Sequence, residues 1–223
     1  MAQLGDTIRL VELVCARLCH DLGGLIGTVG NALDMVAEDA DRDNEVLAFA
    51  SSAAKALTQR LRLARSAWGL ETEPMPLPTL LALVTPPLAA RRIAVDTRSL
   101  PNDSVFSPPV SRVVLNLIML AWDSLPRGGT ITLIGEPADL FIRISGQDAA
   151  WPPGFTACMN NEEAATAALT GARSVQMPLT ALLALSRKLR LSPVLGPGPG
   201  IEAVRMTASE PTAPAIPEPT GQN

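Results

Sequence analysis

Residues 8–36 read IRLVELVCARLCHDLGGLIGTVGNALDMV. Ile8, Val11, Cys15, Leu18, Leu22, Leu25, Val29, Leu33 and Val36 follow one another in steps of 3, 4, 3, 4, 3, 4, 4 and 3. That is the rhythm of a helix with one apolar seam and a single 4–4 slip. Residues 37–44 (AEDADRDN) are polar and acidic and read as a turn. A second helix follows, with Val46, Phe49, Ala53, Leu57, Leu61, Ala64 and Trp68 at spacings of 3–4. Helices joined by a short turn form an antiparallel hairpin, and a hairpin alone buries its seam poorly. Pairing two hairpins into a four-helix bundle completes the core. Residues 1–70, which contain no Pro, are therefore expected to form the helical hairpin of a homodimer. Packing of the hairpin on the rest of its own chain is the competing arrangement.

Beyond the hairpin the composition changes. Residues 71–78 (ETEPMPLP) hold three prolines and read as a linker. Residues 79–208 alternate between helical and strand patterns. Helices are expected at 79–91, interrupted by Pro86 and Pro87, at 109–124, at 164–170 and at 178–190. Strands are expected at 92–97 (RIAVDT), 130–135 (TITLIG), 140–145 (LFIRIS), 192–195 and 201–207. The strands at 130–135 and 140–145 lie at hairpin distance, and Gly196 to Gly200 reads as a Gly-Pro turn. Helices with a mixed or antiparallel sheet make an α/β sandwich. The chain is thus α+β, and residues 209–223 (SEPTAPAIPEPTGQN) read as a disordered tail.

Bulk properties narrow the function. Of the 223 residues, 47% are hydrophobic but only 3% aromatic, with no Tyr, so Leu, Val, Ile and Ala must build the core. A net charge of −4 gives no basic surface for nucleic acid. Cys15, Cys19 and Cys158 form no disulfide framework and suit a reducing cytosol. Asp6, Arg9 and Glu12 leave no apolar leader at the start, and no apolar run reaches the ~18–20 residues of a membrane span. A cytoplasmic protein with no membrane contact is expected.

His20 is the chain's only histidine. With Cys15, Leu18 and Leu22 in the seam, it points outward, where a core histidine would not sit. Gly23, Gly24 and Gly27 follow, each costing about 1 kcal/mol relative to Ala in a helix interior. Gly24, Gly27 and Asn31 share its face at spacings of 3–4 and clear a flat strip on which a partner can approach the ring. Close helix–helix packing is the other use for such small residues. Imidazole is a competent nucleophile near neutral pH. Asp21 is either the carboxylate that holds one ring N–H and frees the other nitrogen, or a helical surface charge. Arg17, one turn earlier, is either a contact for an acidic partner or a solvated arginine. Cys15, Cys19 and His20 do not make a zinc set, since a closed site wants four ligands. No GxSxG elbow suggests a Ser–His–Asp hydrolase.

Leu18-Cys19-His20-Asp21-Leu22 resembles the phosphoacceptor box of sensor histidine kinases. With its small residues and Asn31, it is most similar to the ChpT-type histidine phosphotransferases of alphaproteobacteria. Leu115-Asn116-Leu117-Ile118-Met119-Leu120-Ala121 and Pro126-Arg127-Gly128-Gly129-Thr130-Ile131 resemble the kinase ATP-domain pattern NLLxNA…PxGGT[IV]. The resemblance spans residues 8–208 and implies a fold. A dimeric four-helix bundle, with histidine phosphotransfer on residues 1–70, precedes a histidine-kinase ATPase-like α/β sandwich at 79–208.

The departures imply a degenerate sandwich. Leu120 stands where kinases carry the magnesium-binding second Asn. Residues 145–150 (SGQDAA) replace DxGxG. Residues 175–180 (VQMPLT) lack the Gly-rich phosphate loop, which supplies backbone N–H groups to a triphosphate. The Gly196–Gly200 run follows that helix, and its prolines remove donors. The resemblance therefore implies a phosphoryl carrier at His20, with Asp21 beside it and Arg17, Gly23, Gly24, Gly27 and Asn31 on the docking face; the alternatives are an active histidine kinase with an atypical ATP site and a non-catalytic dimeric scaffold that binds receivers. No metal or cofactor of its own is expected, and Mg²⁺ belongs to the partner. The implied partners are response-regulator receiver domains and the receiver of a hybrid histidine kinase. Asn31, Leu33 and Asp34, with side chains of the second helix, are the expected specificity positions.

Overall fold

The computed structural model describes residues 4–38, 43–70, 73–196 and 200–208. The expected tail 209–223, and the core of the turn at 196–200, lie outside them. Helix α1 runs Leu4–Glu38 and α2 runs Asp43–Trp68, so each reaches into the stretch expected to turn. The two form the antiparallel hairpin.

The chain then builds a second layer system. A ribbon of β1 (Met75–Pro76) and β3 (Val105–Phe106) brackets α3 (Leu77–Ala89) and β2 (Ile93–Ser99). Helix α4 (Pro108–Asp123) leads to the hairpin β4 (Gly129–Glu136) and β5 (Asp139–Ser145). Short helices α5 (Phe155–Cys158) and α6 (Glu162–Ala167) precede α7 (Gln176–Ser186), β6 (Leu189–Leu195) and β7 (Ile201–Ala208). The five-stranded sheet has the order β2-β4-β5-β7-β6, with β2 and β4 parallel and the other pairs antiparallel. A parallel pair needs a crossover, and α4 supplies it.

The register follows side-chain alternation. Ile131, Leu133, Leu140 and Ile142 turn inward and are fully buried. Helix α4 is covered on every side from Val113 to Ala121, which a helix apolar all round requires. Entry into β4 depends on Gly128 and Gly129, at φ 82° and 144°. A Cβ at Gly128 would lie 2.7 Å from the Arg92 carbonyl oxygen, and one at Gly129 would strike the Ser145 carbonyl.

Several expected boundaries move. Helix α3 begins at Leu77 with Pro78 in its first turn, and Pro86 and Pro87 sit in its last turns without ending it. Helix α7 ends at Ser186, because Lys188 adopts a left-handed φ of 56°. Strand β6 therefore starts at Leu189 and takes what the helical reading had claimed. Residues 75–76 of the expected linker are a strand, and α5 was not anticipated.

The hairpin is rooted in the sandwich. Leu63 and Ala67 of α2 belong to one continuous core with α3, α4 and the sheet. Leu13 of α1, flanked by Leu10 and Val14, packs on Leu169, Val175 and Leu182. This covered face is not the expected seam. Ile8, Val11 and Leu33 remain 50%, 56% and 51% exposed, and Cys15 is exposed as well. Among the described residues, no helix is long and apolar enough to cross a membrane.

Candidate functional site

His20 stands on α1 just beyond that root, its side chain 63% exposed. It borders a cavity of about 340 Å³ between the hairpin and the sandwich, with Asp21, Arg60, Pro87, Arg91 and Trp122 also in its wall. A larger cavity of about 520 Å³ beside α6 and α7 has no histidine or cysteine in its lining.

Asp21 divides its carboxylate between two tasks. Its Oδ2 accepts from Arg17 Nε at 3.0 Å and from Arg60 Nη2 at 3.0 Å. Its Oδ1 faces His20 Nδ1 at 3.4 Å. With the proton on Nδ1 directed at Oδ1, the exposed Nε2 carries the lone pair and is the nucleophile. Burial disfavours the charge on Asp21. The Arg17 hydrogen bond and the Arg17 and Arg60 charges outweigh it and hold the carboxyl below its ordinary 3.8. Burial also disfavours the Arg60 charge and leaves that guanidinium below its usual range despite Asp21. The Arg60 guanidinium lies over Trp122, 3.9 Å from the ring centroid.

Arg17 corrects an expectation. It is only 9% exposed and does not lie on a free docking face. Its Nη2 donates to both Asp123 oxygens at 3.2 Å, and its Nη1 donates to the Arg173 carbonyl at 3.1 Å. The face of α1 that carries Leu13, Arg17 and Asp21 at i, i+4 spacing turns toward the sandwich, so a polar partner inside the chain takes the charge. Gly23, Gly24, Gly27 and Asn31 are exposed, as expected. A Cβ at any of the three glycines would meet no atom within 4 Å, so packing within the chain does not explain them. Arg60, Arg91, Trp122 and Asp123 were missed. Of these, Asp123 alone carries a sequence signal that could have found it, as a lone acid closing the apolar run of α4.

The motif resembling a kinase ATP segment is occupied by structure. Asn116 is fully buried, and its amide donates to the Ala67 and Arg112 carbonyls at 2.8 Å each. Its Oδ1 accepts from Trp68 Nε1 at 3.1 Å and Gln176 Nε2 at 3.0 Å. Leu120 is buried beside it on α4. Gln176, in the stretch compared with the phosphate loop, also contacts Thr180 Oγ1 at 3.3 Å. Asp148, in the stretch that replaces DxGxG, pairs with Arg127 at 3.0 Å at the exposed surface.

The model of the histidine phosphotransferase C-terminal domain matches residues 77–195. The chain belongs to the histidine phosphotransferase family. Protein phosphotransferase ChpT of Brucella abortus (strain 2308) is 25% identical over 209 residues, covering 84% of this chain and 90% of that protein. The 1.7 Å structure of a bacterial phosphotransferase overlays with a TM-score of 0.69 at 23% identity, covering 92% of this chain and 97% of the other. The Acinetobacter baumannii histidine kinase AdeS overlays loosely, with a TM-score of 0.41 at 10% identity, covering 84% of this chain and 95% of the other. The expected ChpT-type resemblance is borne out, and so is the α+β order of helices followed by a mixed sheet. A histidine phosphotransferase with a role in phosphorelay is the function this family supports.

Proposed function

We propose that this phosphotransferase carries a phosphoryl group between receiver-domain aspartates on His20, without binding ATP itself. The observation that carries the reading is the exposed His20 whose Nδ1 faces an arginine-held Asp21. In the first transfer the Nε2 lone pair attacks the phosphorus of an aspartyl phosphate. A P–N bond forms, the acyl P–O bond breaks, and the carboxylate leaves. The second transfer reverses these roles on another receiver. Mg²⁺ would come with the receiver and offset phosphoryl charge. This chain supplies the aligned nitrogen and the open strip of Gly23, Gly24, Gly27 and Asn31 for docking.

Independence from ATP is supported by what Asn116 and Gln176 already do. Both are committed to buried hydrogen bonds that tie α2, α4 and α7 together. Homodimerisation is supported by the stripe of Leu4, Ile8, Val11, Ile26 and Leu33, each at least half exposed on one helix. The working location consistent with this role is the cytoplasm.

Two incubations test the proposal. Protein mixed with a labelled phospho-receiver gains acid-labile label, and His20→Ala gains none. Protein mixed with labelled ATP and Mg²⁺ alone stays unlabelled. Equal transfer by His20→Ala, or labelling from ATP alone, overturns the reading.

A further inference from the structure

Arg17 uses its guanidinium in three directions. Nε goes to Asp21, Nη2 to Asp123 at the end of α4, and Nη1 to the Arg173 carbonyl. Asp21 and Asp123 lie on different layers of the molecule, so one side chain spans the acceptor helix and the sandwich. An Arg fork prefers to take both oxygens of a carboxylate. Here the single nitrogen Nη2 donates to both oxygens of Asp123, and Nε reaches only Oδ2 of Asp21. Oδ1 of Asp21 is thereby left to His20. Arg60 reinforces the division, because its Nη2 also falls on Oδ2 while Trp122 holds its plane.

We propose that Asp123, acting through Arg17, is a positioning residue for the phosphoryl acceptor. The sandwich sets the tautomer of His20 from the far side of a shared arginine. This rests on the carrier reading for its consequence but not for its geometry. Without the Asp123 charge, a buried Arg17 turns its fork onto Asp21 and captures Oδ1. His20 then loses the acceptor that keeps its proton on Nδ1. The charged groups around the ring are Asp21 and Arg17 on its own helix, Arg60 on α2, and Arg91 and Asp123 at the edge of the sandwich.

The single histidine makes the test clean. Full-length protein is labelled with ¹⁵N-histidine and its tautomer read by NMR, alongside transfer kinetics from a phosphorylated receiver. In the wild type the proton resides on Nδ1. Asp123→Asn shifts the neutral ring toward the Nε2-protonated form and lowers kcat about tenfold, below what a 1 Å misplacement costs, with KM unchanged. Asp123→Glu restores both, and Asp96→Asn, which breaks the exposed Asp96–Arg98 pair, changes neither. A wild-type tautomer in Asp123→Asn overturns the proposal, as does slowed transfer with no tautomer change. If the wild type accepts no phosphoryl group while the tautomer still responds to Asp123, the carrier reading falls and the positioning role stands.

Discussion

The hairpin and the sandwich use their polar and apolar groups in opposite ways. In the sandwich, Asn116, Gln176 and Thr180 turn inward and spend their hydrogen bonds on one another and on nearby backbone. Its side chains Phe106, Leu115, Ile118, Leu120, Ile131 and Leu133 are fully buried. In the hairpin, His20 and the glycine strip face solvent, and Ile8, Val11, Ile26 and Leu33 are uncovered. The sandwich turns its polar side chains inward, and the hairpin leaves its histidine and part of its apolar face uncovered. The polar residues of an ancestral-looking motif can thus survive as structure, so a motif's presence does not locate the site.

The sharpest contrast comes from paired substitutions. His20→Ala is expected to abolish phosphoryl uptake while shifting stability by no more than about 0.5 kcal/mol, as exposed sites do. Asn116→Ala is expected to leave the transfer chemistry in place and cost roughly 3 kcal/mol, because buried donors and acceptors lose their partner. Label transfer and thermal melting, measured on both proteins, decide it. If Asn116→Ala proves stable but inactive, the division between the two regions fails.

Next in size is association. Ile26→Asp together with Leu33→Asp puts charge on the uncovered stripe without touching the buried core. The expected result is a monomer by light scattering with an unchanged circular dichroism spectrum. A dimer of wild-type affinity would move the subunit contact elsewhere.

A smaller effect runs in two directions. Gly27→Ala adds a Cβ that meets nothing, so the helix gains about 1 kcal/mol in stability. The same methyl stands on the open strip, so receiver KM rises severalfold. Higher stability with unchanged KM would strip the glycines of a docking role.

The mildest prediction concerns acid. Asp21 is held below its ordinary 3.8, so its stabilising contribution is fully present above that value and is lost as pH falls through the lowered one. Denaturation curves of the wild type and Asp21→Asn should converge as pH falls below 3.8. A constant gap between them would mean that the ion pairs contribute nothing.

Much of this was legible in residues. The outward placement of His20 was anticipated, although the face that packs on the sandwich carries Leu13 and Arg17 rather than the counted seam residues Ile8, Val11 and Cys15. The β4–β5 hairpin was legible from alternation and a short turn. Arg17 was not, because its burial depends on α4 and the segment near Arg173, which are remote in sequence. Its i, i+4 relation to Asp21 was visible, but not the third partner that turned a surface pair into a bridge. The end of α7 was hidden for a local reason, since nothing in Arg187 or Lys188 announces a left-handed residue. Period-two spacing at Leu189 and Leu191 was the available clue.

Leu63 and Ala67 sit in the same core as the sheet, and this bears on modularity. The hairpin is not a cassette. Cutting the chain after Gly69 would strip the lower half of α2 of its neighbours, and it would remove Asp123 from Arg17. Grafting α1 and α2 onto another protein therefore requires carrying α3, α4 and the 169–175 segment along with them. Recombination between relatives would be tolerated more readily near the tip of the hairpin than at its root.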